Sequence, residues 1–138
     1  MMVYVNGQDI TRLVLGGIVD GDWTIGPEVL DVRPEQYLFG LDTWLTRHGL
    51  VRGDVSSFAL VKGPGSATSL RTAHAMVNAL AFAFGVQIVA LEKPLDVLDA
   101  DILQAVASQP AYAFALPAYT RDPNITATTR DRLKRVIA

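Results

Sequence analysis

The segment Phe58–Ala90, FALVKGPGSATSLRTAHAMVNALAFAFGVQIVA, leaves this chain few ways to fold. A short apolar run ends in Lys62-Gly63-Pro64-Gly65-Ser66. A long apolar pattern follows, Gly85 interrupts it, and a second short run begins at Val86. Short runs bounded by Gly and Pro read as strands, and the stretch between them is long enough for a helix. Gly63-Pro64-Gly65 demands a sharp reversal, because proline fixes its own φ and glycine enters conformations closed to other residues. Ser66 is placed to cap the helix by accepting from a first-turn N–H. The pattern predicts strand, tight turn, helix, strand.

The remainder extends this unit on both sides. Met2–Val5 reads as a strand followed by an Asn6-Gly7 turn, and Arg12–Val19 and Trp23–Val32 as a hairpin around Asp20-Gly21-Asp22. Pro34 suits the first position of a helix in which Tyr37, Leu38, Leu41, Trp44 and Leu45 recur at helical spacing, with Gly49 ending it. Beyond Leu91, Pro94–Ser108 reads as a helix and Tyr112–Leu116 as a strand. Phe58–Val61 and Val86–Leu91 are continuous apolar runs, as expected of central parallel strands covered on both faces. A three-stranded meander followed by α-β-α-β is the order of a single α/β actin-like (ribonuclease-H-like, ASKHA) lobe with a mixed sheet. The expected division is a lobe over residues 1–116 and a tail over 117–138.

Composition limits the possible chemistry. Half of the 138 residues are apolar and 19% are charged, which fits a compact core and not a disordered chain. There is no cysteine, hence no disulfide or thiol chemistry. No long uncharged span or basic apolar leader is visible, so a soluble cytoplasmic protein without membrane contact is expected. A net charge of −2 argues against a broadly basic nucleic-acid binder. Arg121, Arg130, Arg132, Lys134 and Arg135 nevertheless concentrate positive charge near the end, where they read as a solvated basic turn or as phosphate contacts.

The Ser66–Phe84 helix is more apolar than one sheet contact requires. Beyond its first turn the polar residues are Arg71, Thr72, His74 and Asn78, and none follows Asn78. A helix on one sheet face needs a single apolar stripe. Ala73, Ala75, Ala79, Ala81 and Ala83 would also admit a second helix at close range. Pattern alone leaves two readings open: cover from the Tyr37–Leu45 helix and the terminal segment, or an interface with another molecule.

Gly63, Pro64, Gly65, Ser66, Thr68, Leu70 and Arg71 resemble the GPGSFTGLR-type segment of the TsaB (YeaZ) family. Ala67 stands where that family usually has Phe, and Ser69 where it has Gly. The resemblance runs from about Met2 to Asp96, and Leu116-Pro117-Ala118-Tyr119-Thr120-Arg121 is similar to the family's C-terminal segment. A full member continues into a second actin-like lobe, so the chain reads as internally shortened. The resemblance implies a non-catalytic subunit that binds and stabilises a TsaD-like enzyme for N6-threonylcarbamoylation of the tRNA adenosine beside the anticodon. It further implies homodimerisation when TsaD is absent, contact with tRNA only through the complex, and no cofactor. The implied interface is built from the two helices. Its outward residues would be Leu38, Leu41, Asp42, Leu45, Arg71, His74, Ala75, Asn78, Ala79 and Phe82.

The sequence offers little for catalysis. An actin-like ATPase needs an acidic residue at the end of its first strand, and this strand ends in Val5-Asn6-Gly7. Asn lacks the charge that holds magnesium through water. A minimal hydrolase or phosphotransferase would have to draw on Asp9, Asp20 and Asp22. His48 and His74 fall in different helices, a poor basis for zinc. His48 suits a helix C-terminus, and His74 a surface or interface position. Ser66 reads as a cap without a His and Asp constellation around it. The GPGS turn could offer N–H groups to an anion, although a turn that sets the helix angle accounts for it.

Overall fold

A computed structural model describes residues 1–118. The basic residues Arg121, Arg130, Arg132, Lys134 and Arg135 lie outside that range. Six strands form one mixed sheet in the order β3-β2-β1-β4-β5-β6. They are β1 (Met2–Asn6), β2 (Leu13–Val19), β3 (Asp22–Leu30), β4 (Ser57–Gly63), β5 (Gln87–Glu92) and β6 (Ala111–Tyr112). The helices are α1 (Tyr37–Arg47), α2 (Ala67–Phe84) and α3 (Leu103–Ala107). The first three strands form an antiparallel meander, while β4 runs parallel to both β1 and β5. This is the mixed α/β arrangement of an actin-like, ribonuclease-H-like lobe.

Strand alternation divides the core into two layers. Val3 and Val5 of β1 join Phe58, Leu60 and Ile88 on the face covered by α1 and α2, where Tyr37, Leu41, Trp44, Ala73, Val77 and Ala81 pack. Tyr4, Ala59, Val61, Val89 and Leu91 point to the other face, covered by Ile102 and Val106. The central strands are thus buried on both sides, and their uninterrupted apolar runs follow from that. Asp20 (φ 52°) and Gly21 (φ 78°) close the β2–β3 hairpin with two positive-φ residues, matching the turn to strand twist.

The helix ends follow local rules. Ser66 accepts from Ser69 N–H at the start of α2, and Gly85 (φ 69°) closes it in the left-handed conformation. Gly49 (φ 68°) follows α1 in the same conformation. The expected helix over Pro94–Ser108 is much shorter, limited to α3 after a turn at Asp99–Asp101. Tertiary bonds hold that turn: Tyr4 Oη and Asn6 Nδ2 donate to Asp99, and Trp23 Nε1 donates to the Ala100 carbonyl. The expected strand over Tyr112–Leu116 reduces to β6. Past it the backbone turns to α2, where Asn78 donates to the Ala115 carbonyl (2.9 Å) and accepts from the Ala115 N–H (2.8 Å).

The GPGS turn is explained by close packing. A Cβ on Gly65 would lie 2.7 Å from the Gln8 carbonyl oxygen and 2.9 Å from Gln8 Cα, backbone atoms with no room to yield. Gln8 in turn ties the strand ends together. Its Nε2 donates to the carbonyls of Pro64 (2.7 Å) and Lys93 (2.6 Å), and its own carbonyl accepts from Ser66 N–H (3.0 Å).

His74 is buried, contrary to the expectation of a surface or interface residue, and Leu41 is buried with it. At 3.6 residues per turn His74 follows Leu70 into the interior, just as Leu41 follows Tyr37. His74 Nδ1 lies 2.7 Å from the Leu70 carbonyl. A carbonyl only accepts, so the proton sits on Nδ1, and buried Nε2 has no partner among the described residues. Burial holds the imidazole below its ordinary value of 6.5, outweighing the bond to Leu70.

Gly65→Ala should cost about 1–3 kcal/mol through overpacking, and Gln8→Ala about 2–4 kcal/mol by orphaning buried carbonyls. Urea denaturation measures both, and losses under ~0.5 kcal/mol would show that the strand ends hold without the clasp. Native His74 binds its proton less readily than the unfolded chain does. Its contribution is therefore complete above about pH 6.5 and declines as pH falls toward the lower native value. His74→Leu should flatten that part of the stability profile, and an unchanged slope would assign it to other groups.

Candidate functional site

Two places merit attention: the cluster at the C-terminal ends of the parallel strands and the outer face of the helix pair. At the strand ends, Asn6 occupies the position that an acidic residue would need. Its Nδ2 donates to Gln8 Oε1 (3.0 Å) and Asp99 Oδ1 (2.7 Å), and its Oδ1 accepts from Gln8 N–H (2.9 Å). The Tyr4 hydroxyl donates to the same Asp99 oxygen at 2.5 Å. Burial raises the Tyr4 pKa above the ordinary value of 10, and the Asp99 bond and charge add to the effect, so Tyr4 stays a neutral donor. Asp9 accepts from the Thr11 hydroxyl and N–H, which lower its pKa, with a smaller contribution from Arg12. Asp20 and Asp22 flank the β2–β3 turn, at the other end of β2 from the Asp9 loop. The three early carboxylates are therefore not gathered into one centre. Among the described residues no group of three His, Asp or Glu side chains is arranged to hold a metal ion.

The remaining motif residues have separate surroundings. Ser66 Oγ is engaged as the helix cap, and Ser66 N–H is taken by Gln8, so the turn's N–H groups are partly committed inside the protein. Gly63 adopts φ 146° and accepts from Lys93 N–H at 2.9 Å, joining β4 to the end of β5. Thr68 and Arg71 lie exposed on the first turns of α2. His48 stands at the C-terminus of α1, with Nε2 2.8 Å from Glu28 Oε1.

The helix pair presents a different kind of surface. α1 and α2 lie on the same sheet face and share one core layer. On α1, Leu38 is 61% exposed, Asp42 is exposed and Leu45 is half-buried. On α2, Arg71, Ala75 and Ala79 are exposed, and Phe82 is 91% exposed. Spacings of four, four and three residues place the α2 members on one stripe. Asn78 flanks the stripe, half-buried, with its amide committed to Ala115. Leu41 and His74 face inward and drop out of the surface set. Phe39, 71% exposed, was missed by the sequence reading. Its signal was present in the apolar run Tyr37-Leu38-Phe39, since three consecutive apolar residues cannot all face one core.

Leu38, Phe39 and Phe82 are large apolar side chains left in water on a helix pair that already has its core. Single exposed apolar residues are ordinary, whereas large ones gathered in one patch mark interaction sites. No helix among the described residues is long and apolar enough to cross a membrane.

Comparison with known proteins adds a family. A family model described as "TsaD: tRNA N6-adenosine threonylcarbamoyltransferase" matches residues 36–122, a range that includes α1, β4, α2 and β5. No curated protein matches the chain. Among solved structures, the fold is similar to YeaZ from Pseudomonas aeruginosa, with TM-score 0.56 and 22% identity over 66% of this chain and 44% of that one. It is also similar to a second P. aeruginosa structure, titled as an uncharacterized protein with similarity to peptidase YeaZ, with TM-score 0.55 and 22% identity over 67% of this chain and 44% of that one. The chain thus spans 44% of the length of each of these structures. The family match extends over more than half of the sequence, so the chain belongs to the TsaD family.

Proposed function

We propose that this protein is a non-catalytic subunit that binds a TsaD-like enzyme through the outer face of α1 and α2. In this role it stabilises the enzyme for N6-threonylcarbamoylation of the tRNA adenosine next to the anticodon. The observation that carries the reading is Phe82, a large aromatic residue 91% exposed beside the small side chains of Ala75 and Ala79. Membership of the TsaD family supplies the chemical context. Residues 1–116 act as the docking lobe in this reading, and 117–138 as a tail. Contact with tRNA runs through the complex, and the subunit needs no cofactor of its own.

The physical basis is burial of an unpartnered stripe. Ala75 and Ala79 let a facing helix approach closely, while Leu38, Phe39 and Phe82 supply apolar area at its margins. Arg71 and Asp42 add charges of opposite sign, which favour one docking orientation over others. The same stripe would also serve a second copy of the chain, so a homodimer is the competing state when the enzyme is absent.

Size-exclusion chromatography with light scattering, on this protein mixed with the TsaD-like enzyme of the same organism, tests the proposal. A stable complex is expected. Phe82→Glu should weaken it by ~30-fold or more, as for a central interface anchor. Ala79→Arg should abolish it, and neither change should unfold the monomer, because both side chains are exposed. A homodimer that ignores the enzyme, or a complex indifferent to both substitutions, would refute the assignment.

A further inference from the structure

We propose that Tyr112, Phe114 and Leu116, at the β6 edge of the sheet, form a docking surface for a second copy of this chain. The three side chains are 60%, 64% and 73% exposed. Together with Lys62, Ala90 and Pro110 they line one hollow of about 430 Å³. They therefore make a single apolar patch, the kind of exposure that marks an interaction site. β6 ends the sheet, so among the described residues no strand lies on its outer side. An apolar sheet edge left open in this way favours association.

The patch is fixed before anything docks. Asn78 grips both polar atoms of Ala115, at 2.9 and 2.8 Å, and Ala118 N–H donates to the Lys62 carbonyl. Ala115 is buried between its exposed neighbours. Docking therefore has little ordering cost to overcome. The chemistry of the patch points to a copy of itself. Gln109–Thr120 carries no charged residue, and Lys62 is the one charged side chain in the lining of the hollow. Its stem can lie along the wall with the ammonium in water. Two such patches meet without a carboxylate or a run of like charge between them. Each also offers an exposed aromatic ring and a hollow beside it. Across a two-fold axis Phe114 of each copy enters the hollow of the other, and an isologous contact of this kind makes every interaction twice. Aromatic packing adds to the apolar area buried. Three large side chains per copy fall short of the roughly 800 Å² per partner that stable interfaces bury, so the dimer is expected to be weak, in the micromolar range. This surface uses none of the α1–α2 stripe and does not rest on the function proposed above.

Sedimentation velocity of the full chain from ~1 to ~300 µM tests the inference. A concentration-dependent monomer–dimer equilibrium is expected. Phe114→Asp should raise its dissociation constant ~10-fold or more, and Leu116→Asp should raise it as well. Circular dichroism of both variants should match the parent, because the substituted side chains are exposed. Phe82→Glu, on the α2 stripe, should leave this equilibrium unchanged, so the result is independent of whether the enzyme docks there. A chain that stays monomeric at every concentration, as it would if another protein covered the patch, would overturn the proposal. So would a dimer that survives both Asp substitutions, or one lost only with Phe82→Glu.

Discussion

The side chain of Gln8 is the tie on which the arrangement depends. Parallel strands end with free backbone groups that have no hairpin to close them. Here one carboxamide reaches the Pro64 carbonyl within the GPG turn and the Lys93 carbonyl that follows β5, while the Gln8 backbone takes the N–H of the α2 cap residue. Three strand ends and one helix start are thus fixed to a single residue in the β1–β2 connection. The glycines permit it: Gly65 lets the turn lie against the Gln8 backbone, and Gly7 brings the end of β1 within contact range of Ala73 and Tyr37. Since the turn sets the direction of α2, this tie also fixes which α2 residues face outward.

That direction gives α2 two different sides. Leu70, Ala73, Val77 and Ala81 face the core, and His74 follows them into the interior at the cost of an unpartnered ring nitrogen. The opposite side carries Arg71, Ala75, Ala79 and Phe82. A helix that is apolar nearly all round on a single sheet is under-covered, and the surplus is found in Phe82, with Leu38 and Phe39 on the adjoining helix.

Much of this was legible in the sequence. Gly63-Pro64-Gly65-Ser66 and Gly85 bracketed α2, and the unbroken apolar runs gave the central strands, because those signals are local and strong. Elements set by distant partners were not legible. Asp99 and Ala100 look like helix residues until Tyr4, Asn6 and Trp23 hold them in a turn. Residues 113–116 look like a strand until Asn78 draws Ala115 aside. The helical period predicted a stripe on each helix but did not fix its phase, so Leu41 and His74 were counted as outward.

The pairing of Asn78 with Ala115 bears on the shape of the α2 surface. A side-chain amide that grips both polar atoms of one peptide residue acts as a cleat, holding residues 113–116 along one flank of the helix. Half-buried Met76 and Leu80 mark the opposite flank, where the helix meets the core layer shared with α1. Between them runs the outward stripe of α2, with Ala75 and Ala79 along it and Phe82 toward its C-terminal end. A change at Asn78 that frees residues 113–116 therefore alters one border of the stripe without touching the stripe itself.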